Sequence, residues 1–398
     1  MKKSAGAGLL LLGLVSCRAD RNPLDAIFDR TPMLRIMADH APVFRLQVVV
    51  GTVAERDGRK VLVQEGFRLG EEYFYPASSI KMFAAVAALE RLAELRAETG
   101  RPIDLDTPLI YHPLFPGETV EETDPSHLDG GTITVRHELR KLFLVSDNEA
   151  FNKLYELVGQ DRLAASLARV GLGDAHIVHR LAEPRSAEEN RRFPRIDFRI
   201  ADGVFTLPER TSEPLPAIPT LPGLLVGTAQ MTDAGRLDEP LDMTGKNRIS
   251  LADLQRGLCK VVAPEVDCGG GPAFDLSPAD RAVVLEAMSQ LPRESKDPVY
   301  DPADHPDDFV KFFLPGVARV VPAERLRIYN KIGQAYGFTT ENSWIVDEGT
   351  GRSFFLAATL YTNADGVLND DVYEYADQAA PFLADLGEAV ARDLWGSP

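Results

Sequence analysis

An apolar run at residues 80–89 constrains the fold of this chain more than any other segment. Every residue of the run is apolar except Lys81, and alanine and methionine, which are strong helix formers, make up half of it. A helix that is apolar all round is buried rather than lying on the surface. Pro76 precedes the run and Gly100 follows it, as suits the start and the stop of a helix. We therefore expect a buried central helix that contains a lysine.

Ser78 and Lys81 are three residues apart, so in a first helical turn they lie on one face. The N–H groups at a helix start can receive a developing negative charge. Burial disfavours the charged form of a lysine, so Lys81 could accept a proton near neutral pH. The pair predicts a nucleophilic serine with its base. The alternative is a capping serine beside a lysine that extends to solvent, because Ser-x-x-Lys alone is a common pattern.

The composition is typical of a soluble globular protein with an acidic surface. The 398 residues are enough for one large domain or two, with a real core. Apolar residues make up 44% and charged residues 26%, both ordinary values. With 60 acidic and 43 basic residues, the net charge of −17 argues against nucleic acid or anionic membrane surfaces as partners.

Residues 1–17 have the pattern of a targeting signal. Two lysines precede an apolar stretch, 5–14, that is too short to span a bilayer. The sequence Leu14-Val15-Ser16-Cys17 then resembles a bacterial lipobox, which implies cleavage before Cys17 and lipidation of its thiol. Because Arg18 follows, and not the aspartate associated with inner-membrane retention, we expect a periplasmic protein anchored by lipid to the outer membrane. The alternative is an ordinary cleaved signal with an incidental cysteine.

Two further cysteines, Cys259 and Cys268, lie on either side of Pro264. In an oxidising compartment they could form a local disulfide, and the alternative is two buried free thiols.

The order of predicted elements indicates an α+β fold in residues 18–398. Strand patterns lie near both ends, at 44–54 and 60–69 (joined through Asp57-Gly58, a hairpin signal) and at 325–333, 343–347 and 353–362. They predict one five-stranded antiparallel sheet with terminal helices, the last at 371–394, as a sheet lobe of residues 24–75 and 320–398. Between them, residues 76–319 predict an all-helical lobe with helices at 83–98, 135–145, 149–158, 161–170, 250–262 and 277–290. The proline-rich segment 184–245 shows little periodicity and predicts a long surface excursion.

A second polar motif, Ser146-Asp147-Asn148, lies where one predicted helix ends and the next begins. Ser146 with Glu149 can be read as a capping box for the helix at 149–158. If the motif lies beside Ser78, the Ser146 hydroxyl could relay a proton to a leaving nitrogen. The Asn148 amide could orient Lys81 and a substrate amide.

A third motif, Lys331-Ile332-Gly333-Gln334, lies on the first C-terminal strand. Facing a cleft, Lys331 would attract a substrate carboxylate, and Gly333 would let a ligand approach the backbone. The Gln334 N–H could act with that of Ser78 as an oxyanion donor. The alternative is a lysine that protects an edge strand from aggregation.

In this order, the three motifs resemble the signature motifs of class A β-lactamases and the related penicillin-binding proteins. The resemblance extends over roughly residues 24–398. It implies the class A β-lactamase-like fold, with an acyl-enzyme formed on Ser78.

Two departures from the family pattern affect substrate binding and deacylation. Ile332 stands where the family has threonine or serine, so a hydroxyl that helps to hold the substrate carboxylate is missing. Glu183-Pro184 lies about where the family carries the glutamate that activates the deacylating water, which makes Glu183 the candidate base. The family's asparagine four residues later is Ala187 here, with Glu188, Glu189 and Asn190 following.

The resemblance predicts a serine β-lactamase-like hydrolase that acts on a small β-lactam or D-Ala-D-Ala-like substrate, as a monomer. Ser78, Lys81, Ser146 and Glu183 would be catalytic, and Asn148, Lys331, Gly333 and Gln334 would bind substrate. No cofactor and no metal are implied, and His176 with His179 indicates a loop pair rather than a ligand set. The alternatives are a D-alanyl-D-alanine peptidase and an inactive lipoprotein that binds peptidoglycan.

Overall fold

A computed structural model describes residues 22–217 and 219–396 of the chain. The predicted signal sequence and the lipobox cysteine, Cys17, lie outside this part. Within it, none of the helices combines the length and the apolar character that a membrane span requires.

The helices, numbered in chain order, are α1 Asp25–Phe28, α2 Pro32–Asp39, α3 Lys81–Thr99, α4 Val135–Leu144, α5 Asn148–Val158, α6 Gln160–Arg169, α7 Leu251–Val262, α8 Pro278–Ser289, α9 Leu314–Val317 and α10 Ala380–Trp395. The helices predicted in the central part of the chain are all present, with ends that differ by one or two residues. Pro381 lies in the first turn of α10, preceded by a π-helical turn at Tyr375–Ala379, so the final helix begins later than predicted.

The strands are β1 Gln47–Arg56, β2 Arg59–Phe67, β3 Leu109–Tyr111, β4 Arg192–Phe193, β5 Ile196–Ile200, β6 Gly203–Leu207, β7 Arg210–Thr211, β8 Leu225–Val226, β9 Ala229–Thr232, β10 Gly235–Leu237, β11 Leu241–Asp242, β12 Leu326–Ala335, β13 Phe338–Asp347, β14 Arg352–Tyr361 and β15 Val367–Leu368.

Five of these strands form one antiparallel sheet in the order β12-β13-β14-β1-β2. The β1–β2 hairpin turns at Asp57 and Gly58, both with positive φ (51° and 72°), as a tight two-residue turn requires. The N-terminal hairpin joins the C-terminal strands through β1 and β14, where Gln47 lies opposite Thr359. The predicted five-stranded sheet built from distant parts of the chain is therefore confirmed.

The sheet separates two hydrophobic cores. Val48 and Val50 of β1 pack into a core with α1, α2, α9 and α10, whereas Val49 faces the larger core around α3 and α7. Successive side chains of a strand point to opposite faces, so a sheet covered on both sides shows little apolar–polar alternation. The larger core joins the sheet to the helical lobe and holds the central helix.

The lobe predicted as all-helical also contains short strands, so that part of the prediction is wrong. Strand β3 pairs with β5, which pairs with β6, and the segment 184–245 also carries β4 and β7 to β11. These strands are two to five residues long, too short for alternation to be visible in the sequence. The segment is therefore a set of small sheets rather than an irregular excursion.

Cys259 of α7 and Cys268 of the following loop are joined by a disulfide, with a Cα–Cα separation of 6.0 Å. Both side chains are buried. Of the two alternatives left open by the sequence, the structure contains the bridge.

Candidate active site

The Ser78 segment forms a 3-10 turn, Ala77–Ile80, that leads directly into α3. The Ser79 hydroxyl donates to the Pro76 carbonyl oxygen (2.6 Å), and the Ser79 backbone N–H donates to the same oxygen (3.0 Å). Ala77 has a φ of 46°, a region that non-glycine residues occupy at some energetic cost. In a 3-10 turn, side chains three residues apart lie one above the other. The backbone thus places the half-buried Ser78 above Lys81.

Lys81 is fully buried at the start of α3 and reaches the second motif. Its ammonium nitrogen donates to the carbonyls of Ser146 and Asp147 (3.1 Å for the latter) and to the Asn148 side-chain oxygen (2.6 Å). Burial lowers the pKa of Lys81 to about 7, and the Asp147 carboxylate acts in the opposite direction. A considerable fraction of neutral amine is therefore present near neutral pH. Among the described residues, no hydrogen bond joins Lys81 to Ser78.

Ser146 joins the second motif to the third. Its φ of 60° turns the chain between α4 and α5, and its hydroxyl lies 2.7 Å from the Lys331 nitrogen. The N-cap of α5 is Asp147, whose carboxylate accepts from Ala150 N at 2.8 Å. The predicted capping box of Ser146 and Glu149 is therefore wrong, because the neighbouring aspartate occupies the cap and leaves the Ser146 hydroxyl to Lys331.

Lys331 is buried under the site, with its nitrogen also 3.1 Å from the Ile332 carbonyl. Burial lowers the pKa of Lys331 well below its usual range, and the nearby charge of Lys81 acts in the same direction. The expectation that Lys331 adds positive potential to the site is weakened accordingly. The Ile332 side chain is buried as well, and it carries no hydrogen-bonding group.

Gly333 lets strand β12 press against the Ser78 turn. A Cβ at this position would lie 2.2 Å from the Pro76 carbonyl and 2.9 Å from Ser78 N. The space that the sequence assigns to a ligand is taken by the turn itself, so that reading of Gly333 is corrected. The contact brings Ser78 N to the strand that carries Gln334, whose side chain lies 3.3 Å from Thr339 Oγ1.

Glu183 lies on a loop anchored by Asn152 of α5. The Asn152 amide donates to the Leu181 carbonyl (3.0 Å) and accepts from Leu181 N (2.9 Å). The Glu183 carboxylate accepts from Arg185 Nε at 2.7 Å and lies 3.4 Å from Asn152 Nδ2. The candidate base is therefore in an ion pair, which Arg185 extends to Glu118 at 2.6 Å.

The other polar residues after Glu183 have structural contacts. Asn190 is buried, donates to the carbonyls of Arg185 and Ser186, and accepts from Arg180 N. Glu189 accepts from Ser186 N, and Glu188 is exposed. Glu183 and Asn190 line the adjacent cavity, whereas Glu188 and Glu189 do not.

This cavity of about 670 Å³ lies beside the Glu183 loop, and Ser78, Lys81, Ser146 and Lys331 are not among the described residues of its wall. Its wall includes Glu183 and Arg185 together with Tyr75, His179, Lys246 and Tyr336. Tyr75 is three residues before Ser78, and its ring contacts that of Tyr336 (centroids 5.1 Å apart), three residues after Gly333. Sequence reasoning missed these residues, although the positions of both tyrosines beside motifs offered a signal.

A buried polar network on the sheet side of the site was also missed. Lys311 donates to the Asn330 side-chain oxygen (2.8 Å), and the Asn330 amide donates to Glu341 (2.9 Å). Burial lowers the pKa of Lys311 to about 7 and raises that of Glu341 to about 7. Because Asn330 precedes Lys331, this network fixes the part of β12 that carries the third motif.

Part of the chain is similar to a known protein family. Residues 63–206, which include Ser78, Lys81, the second motif and Glu183, match the family model described as the β-lactamase enzyme family. No curated protein sequence matches the chain.

Solved structures similar to this chain include three β-lactamases. That of Desulfarculus baarsii is 20% identical, with 93% of this chain and 98% of that chain covered and a TM-score of 0.48. That of Xanthomonas campestris is 18% identical (93% and 99% covered, TM-score 0.46). That of Streptomyces albus G is 15% identical (90% and 97% covered, TM-score 0.42).

The match over residues 63–206 agrees with the meeting of the three motifs at the edge of the five-stranded sheet. The chain is therefore similar to the β-lactamase enzyme family over residues 63–206, which hold two of the three motifs.

Proposed function

We propose that the chain is a serine hydrolase of class A type that opens β-lactam amides through an acyl-enzyme on Ser78. One observation carries the proposal. Lys81 contacts all three residues of the second motif from beneath Ser78, and Lys331 of the third motif reaches Ser146. Segments far apart in the chain thus supply a nucleophile, a base and a proton relay in one place.

In the acylation step, the Ser78 oxygen attacks the amide carbonyl carbon and its proton passes to the neutral Lys81 amine. The N–H groups of Ser78 and Gln334 stabilise the oxyanion. When the C–N bond breaks, the Ser146 hydroxyl protonates the leaving nitrogen, and its proton is replaced by the one that Lys81 took from Ser78. Asn148 holds both Lys81 and the substrate amide, and Lys331 orients Ser146.

In the deacylation step, a water attacks the ester with Glu183 as its base. This role requires the Glu183 carboxylate to turn from Arg185 towards the ester. Asn152, which holds the loop backbone at Leu181, is suited to keep Glu183 near the site.

A second candidate, a D-alanyl-D-alanine peptidase, shares the acylation step. The Glu183–Arg185 ion pair favours it, since a base held by an arginine would hydrolyse the ester slowly. Ile332 does not separate the two candidates, because both carry a substrate-binding hydroxyl at this position and this chain does not. The third alternative, an inactive peptidoglycan-binding lipoprotein, predicts no acylation.

The nucleophile is tested by incubating soluble protein with a penicillin and with a D-Ala-D-Ala peptide, followed by intact mass. Wild type should gain the mass of the penicillin, and Ser78→Ala should not. Ser79→Ala removes a hydroxyl that bonds only to Pro76 O and should keep the adduct. An adduct that survives Ser78→Ala would overturn the assignment, and no adduct on folded wild type would favour the inactive alternative.

The deacylating base is tested with a chromogenic cephalosporin. If the chain is a β-lactamase, wild type hydrolyses the cephalosporin repeatedly, whereas Glu183→Gln accumulates the acyl-enzyme. The control Glu188→Gln, at an exposed residue, behaves as wild type. Stable acylation of wild type would favour the peptidase. Turnover that Glu183→Gln leaves unchanged would remove Glu183 from the mechanism.

We also propose that the protein is monomeric and held by lipid on Cys17 at the periplasmic face of the outer membrane. Globomycin or Cys17→Ala should block lipid-dependent processing and shift the protein out of the detergent phase. Equal partition of mutant and wild type would contradict the lipid anchor.

A further inference from the structure

Three potential metal ligands from distant parts of the chain meet beside α4. His127 lies in the loop before this helix, His137 in its first turn and Asp297 in the loop after α8. Their ligand atoms all lie within 4.8 Å of one another. His127 Nε2 is 3.7 Å from one Asp297 oxygen, and His137 Nδ1 is 3.7 Å from the other. We call these side chains the His-His-Asp cluster.

The hydrogen bonds around His137 determine which ring nitrogen carries the proton. The Ser126 hydroxyl donates its only hydrogen to Asp124 Oδ1 (2.7 Å). It can therefore only accept from His137 Nε2, which lies 2.8 Å away. In the neutral ring, the lone pair is then on Nδ1, the nitrogen on the Asp297 side.

The same reasoning applies to His127 through a different partner. His127 Nδ1 lies 2.6 Å from the Thr132 carbonyl oxygen, which can only accept. Nδ1 therefore carries the hydrogen, and the lone pair of the neutral ring is on Nε2, again on the Asp297 side. Such outer hydrogen bonds fix ring orientation and tautomer at metal-binding histidines.

The Asp297 carboxylate is held in place as well. Leu128 N donates to Asp297 Oδ1 (2.9 Å), and Arg140 of α4 donates to the Asp297 backbone carbonyl (2.6 Å). Two nitrogen lone pairs and a carboxylate thus lie close together, an arrangement of mutually repelling acceptors that a shared cation stabilises. The two rings are stacked, with centroids 4.5 Å apart and 17° between their planes, so one ring must turn before both lone pairs point at the same ion. The His137 side chain is almost fully buried, whereas the His127 and Asp297 side chains are partly exposed. An ion could therefore enter from one side.

We propose that His127, His137 and Asp297 form a divalent-metal site, with Zn²⁺ as the metal of best fit. Two imidazoles and a carboxylate form a donor set that suits zinc, whereas Mg²⁺ and Ca²⁺ prefer oxygen donors. Zinc bonds of about 2.0–2.2 Å imply ligand atoms roughly 3.3–3.6 Å apart in a tetrahedral site. The two nitrogen–oxygen separations of 3.7 Å need to shorten by only a few tenths of an ångström, the ring nitrogens come together as one ring turns, and water would supply the fourth ligand.

The site would tie two loops to the start of the helix that leads to Ser146. Its role is therefore structural support, independent of the reaction proposed at Ser78. The sequence implied no metal because residues 127, 137 and 297 have no ligand spacing, and only the fold brings them together.

The site is tested by titrating chelator-treated soluble protein with zinc chloride in a calorimeter. Wild type should bind one Zn²⁺ per chain, and His127→Gln and Asp297→Asn should each lose at least tenfold in affinity. His40→Gln, a change to an exposed histidine of α2, serves as the matched control and should bind as wild type. Ser126→Ala keeps all three ligands but frees His137 Nε2, and should weaken binding by roughly 10–100-fold.

Circular dichroism of each variant without metal shows whether it is folded. Zinc should raise the thermal midpoint of wild type and of His40→Gln, but not that of folded Asp297→Asn. X-ray absorption at the zinc edge should give first-shell nitrogen and oxygen at about 2.0–2.2 Å. Wild type that binds no zinc, or binds it only as tightly as Asp297→Asn, would show that the cluster does not form a metal site and would overturn the proposal.

Discussion

At the scale of single residues, Lys81 is the group most sensitive to its surroundings. Its side chain is enclosed by the central core and by the second motif, and water does not reach its nitrogen. Desolvation is thus the physical reason why an amine could act as a base here. An exposed lysine would be protonated at neutral pH and could not accept the Ser78 proton.

We predict that acylation by a penicillin becomes faster with rising pH until Lys81 is deprotonated. Since the pKa of Lys81 is lowered to about 7, the neutral fraction increases up to that pH and then levels off. The acylation rate should rise by roughly tenfold per pH unit below about pH 7 and reach a plateau above it. Stopped-flow fluorescence with a labelled penicillin measures this rate.

The control is Lys81→Ala, which should acylate about two to four orders of magnitude more slowly and lose this pH dependence. A wild-type rate that falls with rising pH would contradict a role for neutral Lys81.

Substitution of Gly333 tests the contact between β12 and the Ser78 turn. In Gly333→Ala, the new Cβ meets backbone atoms, which cannot move aside as a flexible side chain can. We expect a loss of about 1–3 kcal/mol in the free energy of unfolding. Because the turn is displaced, acylation should slow by roughly 10²-fold.

The matched control is Gly245→Ala, at a glycine where an added Cβ has no heavy atom within 4 Å. Urea unfolding measures the stability of both variants, and penicillin labelling measures their acylation rates. Equal behaviour of the two would show that the close approach is not needed.

At the scale of elements, the junction between α4 and α5 has two separate tasks. Asp147 caps α5, while Ser146 and Asn148 on either side of it contact the two lysines. Adjacent side chains thus divide the stability of the helix and the chemistry of the site between them.

Removing the cap should destabilise the protein without loss of the nucleophile. We expect Asp147→Ala to lower the free energy of unfolding by about 1 kcal/mol, and Asp147→Asn to restore most of it, because an amide oxygen can also cap. Glu149→Ala should change stability by no more than about 0.5 kcal/mol, since the Glu149 side chain is exposed and its partner Lys153 keeps a second ion pair with Glu121. A larger effect of Glu149→Ala in urea unfolding would favour the capping box instead.

The sequence predicted long elements well and short or distant contacts poorly. The apolar run at 80–89 and the hairpin at Asp57-Gly58 are continuous local signals, and both are found where expected. The Asp147 cap was missed because Ser146 and Asp147 are equally good caps, and only the Lys331 contact separates them. The strands within 184–245 were missed because each is only two to five residues long, too short to show alternation in the sequence.

The same limit applies to the candidate site. The three motifs were visible as patterns, and the structure brings them together. The Glu183–Arg185 ion pair, the burial of Lys331 and the His-His-Asp cluster depend on how loops pack, which no local pattern encodes.

At the scale of the whole molecule, the Cys259–Cys268 bridge joins α7 to the loop beside β2. Asp267, next to Cys268, exchanges backbone hydrogen bonds with this strand through Lys60 and Leu62. The disulfide therefore secures the contact between the helical lobe and the far edge of the sheet.

We expect the double variant Cys259→Ala, Cys268→Ala to lose about 2–3 kcal/mol of stability, as for the closure of a short loop. The urea midpoint should fall with little change in slope. Reduction of wild type should reproduce the loss, whereas reduction of the double variant should have no effect. Equal midpoints of oxidised and reduced wild type would contradict a stabilising bridge.

The pairing of β1 with β14 determines when the protein can first act. During synthesis, Ser78 and Lys81 are made early, whereas Lys331 and the strands from β12 to β14 are made late. Until they arrive, β1 lacks its neighbour and the Ser78 turn lacks the strand that Gly333 presses against it. Pairings between such distant residues form slowly, so the nascent chain stays incomplete through most of its synthesis. The reactivity proposed for Ser78 is thus expected only of the complete molecule, once the last part of the sheet has joined the first.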